Sequence, residues 1–382
     1  MIIELIFLLV IGIFTIYISR LLKVPDLLLL LIVGMIVGLS GFNLVGNILE
    51  YKDFFIKLAL IFILIKAGLG IEESSLKKIG RPAILLGFIP CLFEGLAITT
   101  LAIYFLGFPL IEALALGFII AAVSPAIVVP LMLELKEKKF KFNKNIPIMN
   151  LAAISIDDVV AISIFSIVIS IFTNGIDNLI GMFITIPFSI IIAIILAKYL
   201  VKVLLWTELK KEAILTLSVV YVGLLMYWEV VIISPLVLAM SIGYYINHLS
   251  PKLKKDILVP VNNIWDILKI LLFTLIGAQV NLGYIDEYLF IGLFIIFIAL
   301  GIRMIGVYIS LLKTEYNFKE KIYIGLCNIP KATVQASLGA IPLSVGMVNG
   351  EEILAISVIA IISTVIIAIV LITSLEKRLL EK

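Results

Sequence analysis

Residues 146–173 read IPIMNLAAISIDDVVAISIFSIVISIFT. The run is apolar throughout except for small polar residues and one adjacent pair of acids, Asp157 and Asp158, near its middle. A strand crossing lipid would alternate polar and apolar residues, whereas a helix needs roughly 20 predominantly apolar residues to cross the hydrocarbon. The stretch is therefore read as a membrane-spanning helix. An ionised carboxylate at mid-bilayer costs roughly 2.5–3.5 kcal/mol even on the mild insertion scale, so each aspartate needs a partner or a water-filled cavity. Neighbours on a helix point about 100° apart, so the two side chains address different surroundings. Carboxylates this close repel each other, and a proton or cation taken up by one of them relieves the repulsion.

The rest of the chain has the same character. With 63% apolar and 14% charged residues among 382, a water-soluble globule is excluded and lipid is the expected solvent. Apolar runs bounded by charges, Pro or Asn/Gly clusters predict helices at 2–19, 26–42, 54–71, 82–106, 109–135, 146–173, 178–204, 212–227, 231–247, 259–282, 288–312, 320–343 and 353–375. The expectation is an all-α polytopic membrane protein with 13 spans. Glu4 stands where a secretory signal would carry a basic start, so the first span is read as a helix of the mature chain. The net charge of +3 comes from lysines in short loops, which is no footprint for nucleic acid. Cys91 and Cys327 lie in separate spans and suggest neither a disulfide framework nor a metal cluster, and His248 is read as a loop residue. No nucleophile, base and oxyanion grouping is visible, so no enzyme and no cofactor is expected.

Of the 29 Lys and Arg residues, 23 fall on one side of this arrangement and only Lys52 and Lys57 on the other. Because short cytoplasmic loops retain positive charge, the N-terminus is expected outside and the C-terminus in the cytoplasm. The lysine-rich loop Lys136 to Lys144 is read as a positive-inside anchor. Two spans are interrupted alike: the fifth by Ser124-Pro125 and Pro130, the twelfth by Pro330-Lys331-Ala332-Thr333 and Pro342. Taking spans one to six and eight to thirteen as repeats makes these two counterparts, and their odd offset inverts the repeats. Discontinuous helices at matching positions of inverted repeats point to a mid-membrane site.

Four basic residues fall inside spans: Lys66, Lys269, Arg303 and Lys331. Arg303, mid-span in Gly301-Ile-Arg-Met-Ile-Gly306, is the natural partner for one aspartate, since it stays charged without releasing a proton. Glu94 and Lys331 make a candidate second pair, while Lys66 and Lys269 lie nearer span ends and are read as snorkelling. Gly34 and Gly38 form a G-x-x-x-G that reads as close helix packing.

Ala121-Ala-Val-Ser-Pro-Ala-Ile-Val-Val-Pro130, Asp157-Asp158-Val-Val-Ala-Ile162, Lys66-Ala-Gly-Leu-Gly70, Leu272-Phe-Thr-Leu-Ile-Gly-Ala278 and Ile329-Pro-Lys-Ala-Thr-Val-Gln-Ala336 together resemble the cation/proton antiporter superfamily, specifically its NHA-type sodium/proton antiporter branch. The resemblance implies an NhaA-like fold of inverted repeats with two crossing broken helices. It implies scaffold and dimerisation helices in 1–81 and 212–283, a linker helix in 174–211, and mobile core helices in 82–173 and 284–382. It also implies Asp158 as the carrier of cation and proton, Asp157 as partner of Arg303, Glu94 with Lys331 as the intramembrane pair, and Ser124 as a source of oxygens near the ion. Gln279 stands where relatives often carry a glutamate and Lys66 where they often carry an arginine. Relatives with lysine at the Arg303 position have a second proton carrier, so arginine here puts electrogenic exchange in doubt.

The expected function is secondary antiport of Na⁺ or Li⁺ for H⁺ at the Asp157-Asp158 pair, both aspartates being expected as ion ligands, by elevator-type alternating access in the plasma membrane, by a homodimer held in lipid. The alternatives are K⁺/H⁺ exchange and sodium-coupled uptake of an organic acid on a similar fold. The second of these would require a roomier polar site without a buried basic partner for the aspartates.

Overall fold

The computed structural model describes residues 2–22, 24–70, 80–137, 146–174, 235–249 and 251–380, together with scattered positions between 191 and 223. The elements are α1 (Ile2–Leu22), α2 (Asp26–Val37), a 3-10 turn Ile48–Tyr51 leading into α3 (Lys52–Gly70), α4 (Arg81–Leu101) prolonged by the π-helical turn Ala102–Leu106, α5 (Leu110–Ala121), α6 (Pro125–Glu137), α7 (Ile146–Asn174), α8 (Pro235–Leu249), α9 (Pro251–Gln279), α10 (Leu282–Ser310), α11 (Phe318–Leu326), α12 (Thr333–Gly339), α13 (Ile341–Ser344) and α14 (Gly350–Leu380). No strand occurs among the described residues. Among the described residues, seven helical stretches are long and apolar enough to cross a membrane, the first Ile2–Leu22 and the last Gly350–Leu380. Large apolar side chains such as Ile3, Phe14 and Phe290 are exposed, as lipid permits and water does not.

Several boundaries differ from the sequence reading. The second predicted span ends at Val37 and not at 42, because the chain folds back through Gly38 to Gly41, with Phe42 N–H donating to Ile36 O and Leu44 N–H to Val37 O. The tenth begins at Pro251 and not at 259, so Lys254 and Lys255, sorted with the loop lysines, stand in its first turns. Buried Ile257, Val261, Trp265 and Leu268 keep one helical face apolar where the mean hydropathy is too low to reveal the helix. His248 belongs to the last turn of α8, its ring stacked on Tyr244, and is not a loop residue. The twelfth span is three helices, α11, α12 and α13. The predicted seventh and eighth spans, the linker 174–211 and the loop lysines from Lys138 to Lys144 lie largely outside the described residues.

The chain divides into two compact units. The first comprises residues 1–22, 29–71 and 166–279. Its helices approach through glycines: a Cβ at Gly34 of α2, or at Gly38 just past its end, would fall on the backbone of α9 at Thr274 or Ala278, and one at Gly277 of α9 would fall on Leu31 O. Gly68 of α3 and Gly243 of α8 face each other's helix backbone in the same way. The G-x-x-x-G is thus a packing surface, with dispersion contacts as its driving force. Lys66 places its ammonium 5.9 Å over the Trp265 ring, and Lys269 pairs with Asp266 at 3.0 Å, so both have protein partners instead of snorkelling alone.

The second unit comprises residues 23–28, 72–165 and 280–382. Here α4 is the hub. Its Gly87 meets Ala153 O of α7, its Gly95 carbonyl meets Gly117 of α5, and its Pro90 meets Gly306 of α10. Three helices are thereby drawn close to the stretch of α4 that carries Glu94.

Candidate functional site

Both breaks follow from proline. Pro125 has no N–H to donate into a continuing helix and disfavours helical geometry in the residue before it, so α5 stops and Ala122 turns extended, with φ −63° and ψ 138°. Pro330 interrupts the later span in the same manner, and α12 restarts after Ala332. The two breaks meet. Ser124 N–H donates to Pro330 O at 2.8 Å, Ser124 Oγ lies 3.3 Å from Thr333 Oγ1, and Thr333 N–H donates to Ser124 Oγ at 3.4 Å. Lys331 N–H donates to Thr364 Oγ1 of α14 at 3.0 Å.

A broken helix leaves carbonyls unsatisfied at its C-terminal end, the negative end of its dipole. At α5 they are met by side chains. Ala121 O accepts from Arg303 Nη1 at 2.6 Å and from Lys331 Nζ at 3.1 Å. Gln335 Nε2 donates to Ile119 O at 2.9 Å, Ile120 O at 3.3 Å and Ala122 O at 2.8 Å. The next backbone donor, Val123 N–H, goes to Asp157 Oδ2 at 2.8 Å.

The same side chains form one buried ionic chain. Arg303 donates from Nη2 to Asp157 Oδ1 at 2.5 Å and to Asn328 Oδ1 at 3.2 Å, and from Nη1 to Glu94 Oε2 at 2.6 Å. Lys331 Nζ donates to the same Glu94 oxygen at 2.7 Å. The Glu94–Lys331 pair, reasoned from the charges, and the Asp157–Arg303 pair, implied by the family resemblance, are therefore joined through Arg303, a division of labour that its planar fork of donors allows and a lysine would not. Ser124 sits at the crossing. Asp158 stands apart from this chain: it is 4% exposed, and its Oδ1 meets no hydrogen-bond partner among the described residues. Glu94 Oε1, Arg303 Nε, Gln335 Oε1 and Asn150 Oδ1 are buried and unpartnered in the same sense.

Asn328, Thr364, Gln335 and Glu112 were missed as functional candidates, although each is a polar residue inside an apolar run, the signal that flagged the charges. Glu112, in the first turn of α5, is buried and accepts from Val348 N–H at 3.1 Å, Asn349 N–H at 3.0 Å and Asn349 Nδ2 at 2.6 Å. It ties the start of one broken helix to the loop that follows the other. Among the described residues no three Asp, Glu, His or Cys side chains gather as a set able to hold a metal. At the crossing the Ser124 and Thr333 hydroxyls lie side by side.

The chain is 33% identical over 327 residues to sodium/hydrogen exchanger 9B1 of Macaca fascicularis, which covers 80% of this chain and 63% of that protein. It is 31% identical over 345 residues to sodium/hydrogen exchanger 9B2 of Homo sapiens, with 85% and 64% covered. The chain thus spans less than two thirds of the length of these relatives. In fold it is similar to the sodium proton antiporter MjNhaP1 from Methanocaldococcus jannaschii at pH 8, with a TM-score of 0.82 and 22% identity over 99% of this chain and 97% of that one. Residues 5–377 match the family "Sodium/hydrogen exchanger, transmembrane", and the protein, a multi-pass membrane protein, belongs to that family.

Proposed function

We propose that the protein is a secondary antiporter exchanging Na⁺ or Li⁺ for H⁺, with Asp158 as the group that binds either the cation or the proton. The observation that carries this reading is a charge count. Of the carboxylates Glu94, Asp157 and Asp158, the first two form ion pairs with the two buried bases, Arg303 and Lys331, and Asp158 forms none among the described residues. One positive charge neutralises the cluster, whichever ion supplies it. An empty, charged site is costly to carry across lipid, so the protein reorients with one occupant or the other and exchange is obligatory. Arginine releases no proton at physiological pH, which favours one proton per cation and electroneutral exchange. Asp157 holds Arg303 in place, Glu94 and Lys331 fix the ends of the broken helices, and the Ser124 hydroxyl supplies oxygen beside the ion.

The names of the relatives, sodium/hydrogen exchangers and a sodium proton antiporter, support the choice of ions. We further take the chain to have 13 spans in inverted repeats with crossing broken helices, the N-terminus outside and the C-terminus cytoplasmic, in a plasma-membrane homodimer. The core helices of 82–173 and 284–382 would move elevator-fashion against those of 1–81 and 212–283. The grouping of 72–165 with 280–382 in one compact unit supports this division.

The test is dissipation of an imposed pH gradient in proteoliposomes on adding Na⁺, Li⁺ or K⁺, with wild type beside Asp158→Asn. Proton movement triggered by Na⁺ or Li⁺ and lost in the variant is expected. Full exchange in Asp158→Asn sinks the assignment. A response to K⁺ alone makes the protein a K⁺/H⁺ exchanger, and silence with every cation favours coupled uptake of an organic acid.

A further inference from the structure

We propose that Gln335 is a specificity-determining residue: its amide nitrogen fills the point at which the carbonyl oxygens of Ile119, Ile120 and Ala122 converge, and so keeps a second, carbonyl-lined cation site closed. The inference rests on the antiport reading above and deepens it, since it concerns which monovalent cation the crossing accepts.

Backbone carbonyls converging at a helix break are a natural place for a dehydrated alkali cation, because they can replace its hydration shell without adding charge. The end of α5 offers such a set, at the negative end of a half-helix dipole. Every member of it is occupied by a tethered donor. Ala121 O is taken by Arg303 and Lys331, and the oxygens of Ile119, Ile120 and Ala122 by Gln335 Nε2, within 2.8 to 3.3 Å. Three acceptors facing one atom require that atom to be the nitrogen, so the amide orientation is settled by chemistry. The opposite end confirms where the residue's value lies: Gln335 Oε1 is buried with no partner among the described residues, a desolvation cost incurred to put the donor where it stands. Gln335 lies two residues beyond Thr333, whose hydroxyl is at the crossing, so the plug belongs to the same half-helix that lines the ion's place. With the plug in, the α5 carbonyls are withdrawn, and the cation is left with side-chain oxygens, the Asp158 carboxylate assigned above and the paired hydroxyls of the crossing. These are few ligands, which disfavours a large ion that needs many oxygens at once.

The experiment compares wild type, Gln335→Met and Gln335→Glu, each as the full chain in proteoliposomes and in detergent. Methionine keeps the volume and removes the donor. Glutamate keeps the shape, and its carboxylate against three carbonyls is relieved by a bound cation or by a proton, while methionine controls for the loss of the donor alone. The concentration of Na⁺, Li⁺ and K⁺ giving half-maximal proton movement is measured, together with the shift of melting temperature produced by each salt. The expected result is that the ratio of half-maximal K⁺ to half-maximal Na⁺ falls by about tenfold in Gln335→Glu and less in Gln335→Met, and that K⁺ raises the melting temperature of the variants only. Wild-type ratios in both folded variants overturn the proposal. A weakened response to Na⁺ without a gain for K⁺ overturns it too, and makes Gln335 Oε1 a ligand of the transported ion. Collapse of both variants on purification reduces Gln335 to a structural cap. If the wild type moves no protons with any cation, the antiport reading fails by itself, while the K⁺-dependent melting shift still decides the fate of the plug.

Discussion

The two units solve the problem of holding helices together in lipid in opposite ways. In the first unit, α2, α3, α8 and α9 touch backbone to backbone through Gly34, Gly38, Gly68, Gly243 and Gly277. Lipid tails are as apolar as leucine, so such contacts gain by close approach and dispersion and ask for no charge. The second unit also uses glycines, at Gly87, Gly117 and Gly306, but around them it buries three carboxylates, a guanidinium and an ammonium. Buried charges are weak evidence for stability, since their desolvation offsets most of their attraction. The described residues of the first unit bury no such ionic cluster, so the desolvation cost of buried charge falls on the second unit.

This contrast can be broken by mutation. Arg303→Ala leaves Asp157 and Glu94 buried beside a vacated space, and a cost of about 3–5 kcal/mol is expected in a thermal or denaturant melt in detergent. A cost below that of an ordinary cavity would mean that water already compensates the acids. The two Glu–Asn clasps sharpen the comparison within each unit. Glu112 is buried and accepts from Val348, Asn349 and the Asn349 side chain, whereas Glu4, only half-buried, makes the analogous bonds to the exposed Asn47 side chain and to Ile48 N–H. Glu112→Ala is expected to cost about 1.5–3 kcal/mol, as charged hydrogen bonds in buried places do, and Glu4→Ala measurably less. Equal losses would show that burial does not govern these clasps.

The neighbouring aspartates differ in the same sense. Asp157 is satisfied by Arg303 and Val123, and Asp158 has an unpartnered oxygen. Asp158→Asn should therefore abolish transport and still raise stability by about 1–3 kcal/mol, the reverse of Asp157→Asn. Equal melting temperatures for the two variants would argue that Asp158 already has a compensating partner. In the first unit, Gly277→Ala sets a Cβ against Leu31 O and should cost about 1–3 kcal/mol without altering cation preference in the proton-movement assay. A changed preference would tie the glycine-packed unit to the ion site.

Much of the helix order was legible in the sequence. Apolar runs and prolines located both breaks, placed the ends of α1 and α7 closely, and found α10 and α14 while starting the first at 288 instead of Leu282 and ending the second at 375 instead of Leu380, because lipid leaves the backbone no alternative to satisfying itself within a helix. The start of α9 was not legible by hydropathy, since its first turns carry Lys254 and Lys255 and only one face is buried. Intramembrane charge likewise picked out Asp157, Asp158, Glu94, Arg303 and Lys331, because each is too costly in lipid to be incidental.

The sequence by itself thus determined that charges must meet somewhere in the membrane, and which ones. Only the tertiary structure decided how they meet. Arg303 serves Glu94, 209 residues away, and Asp157, 146 residues away, while Lys331 shares one oxygen of Glu94 and Asp158 is left outside. Gln335, 213 residues from Ala122, becomes a cap for carbonyls that only the break exposes. These choices depend on the register in which two broken helices cross and on the approach that Gly87, Gly117 and Gly306 allow, and a distance fixed by packing between remote segments leaves no local mark in the order of residues.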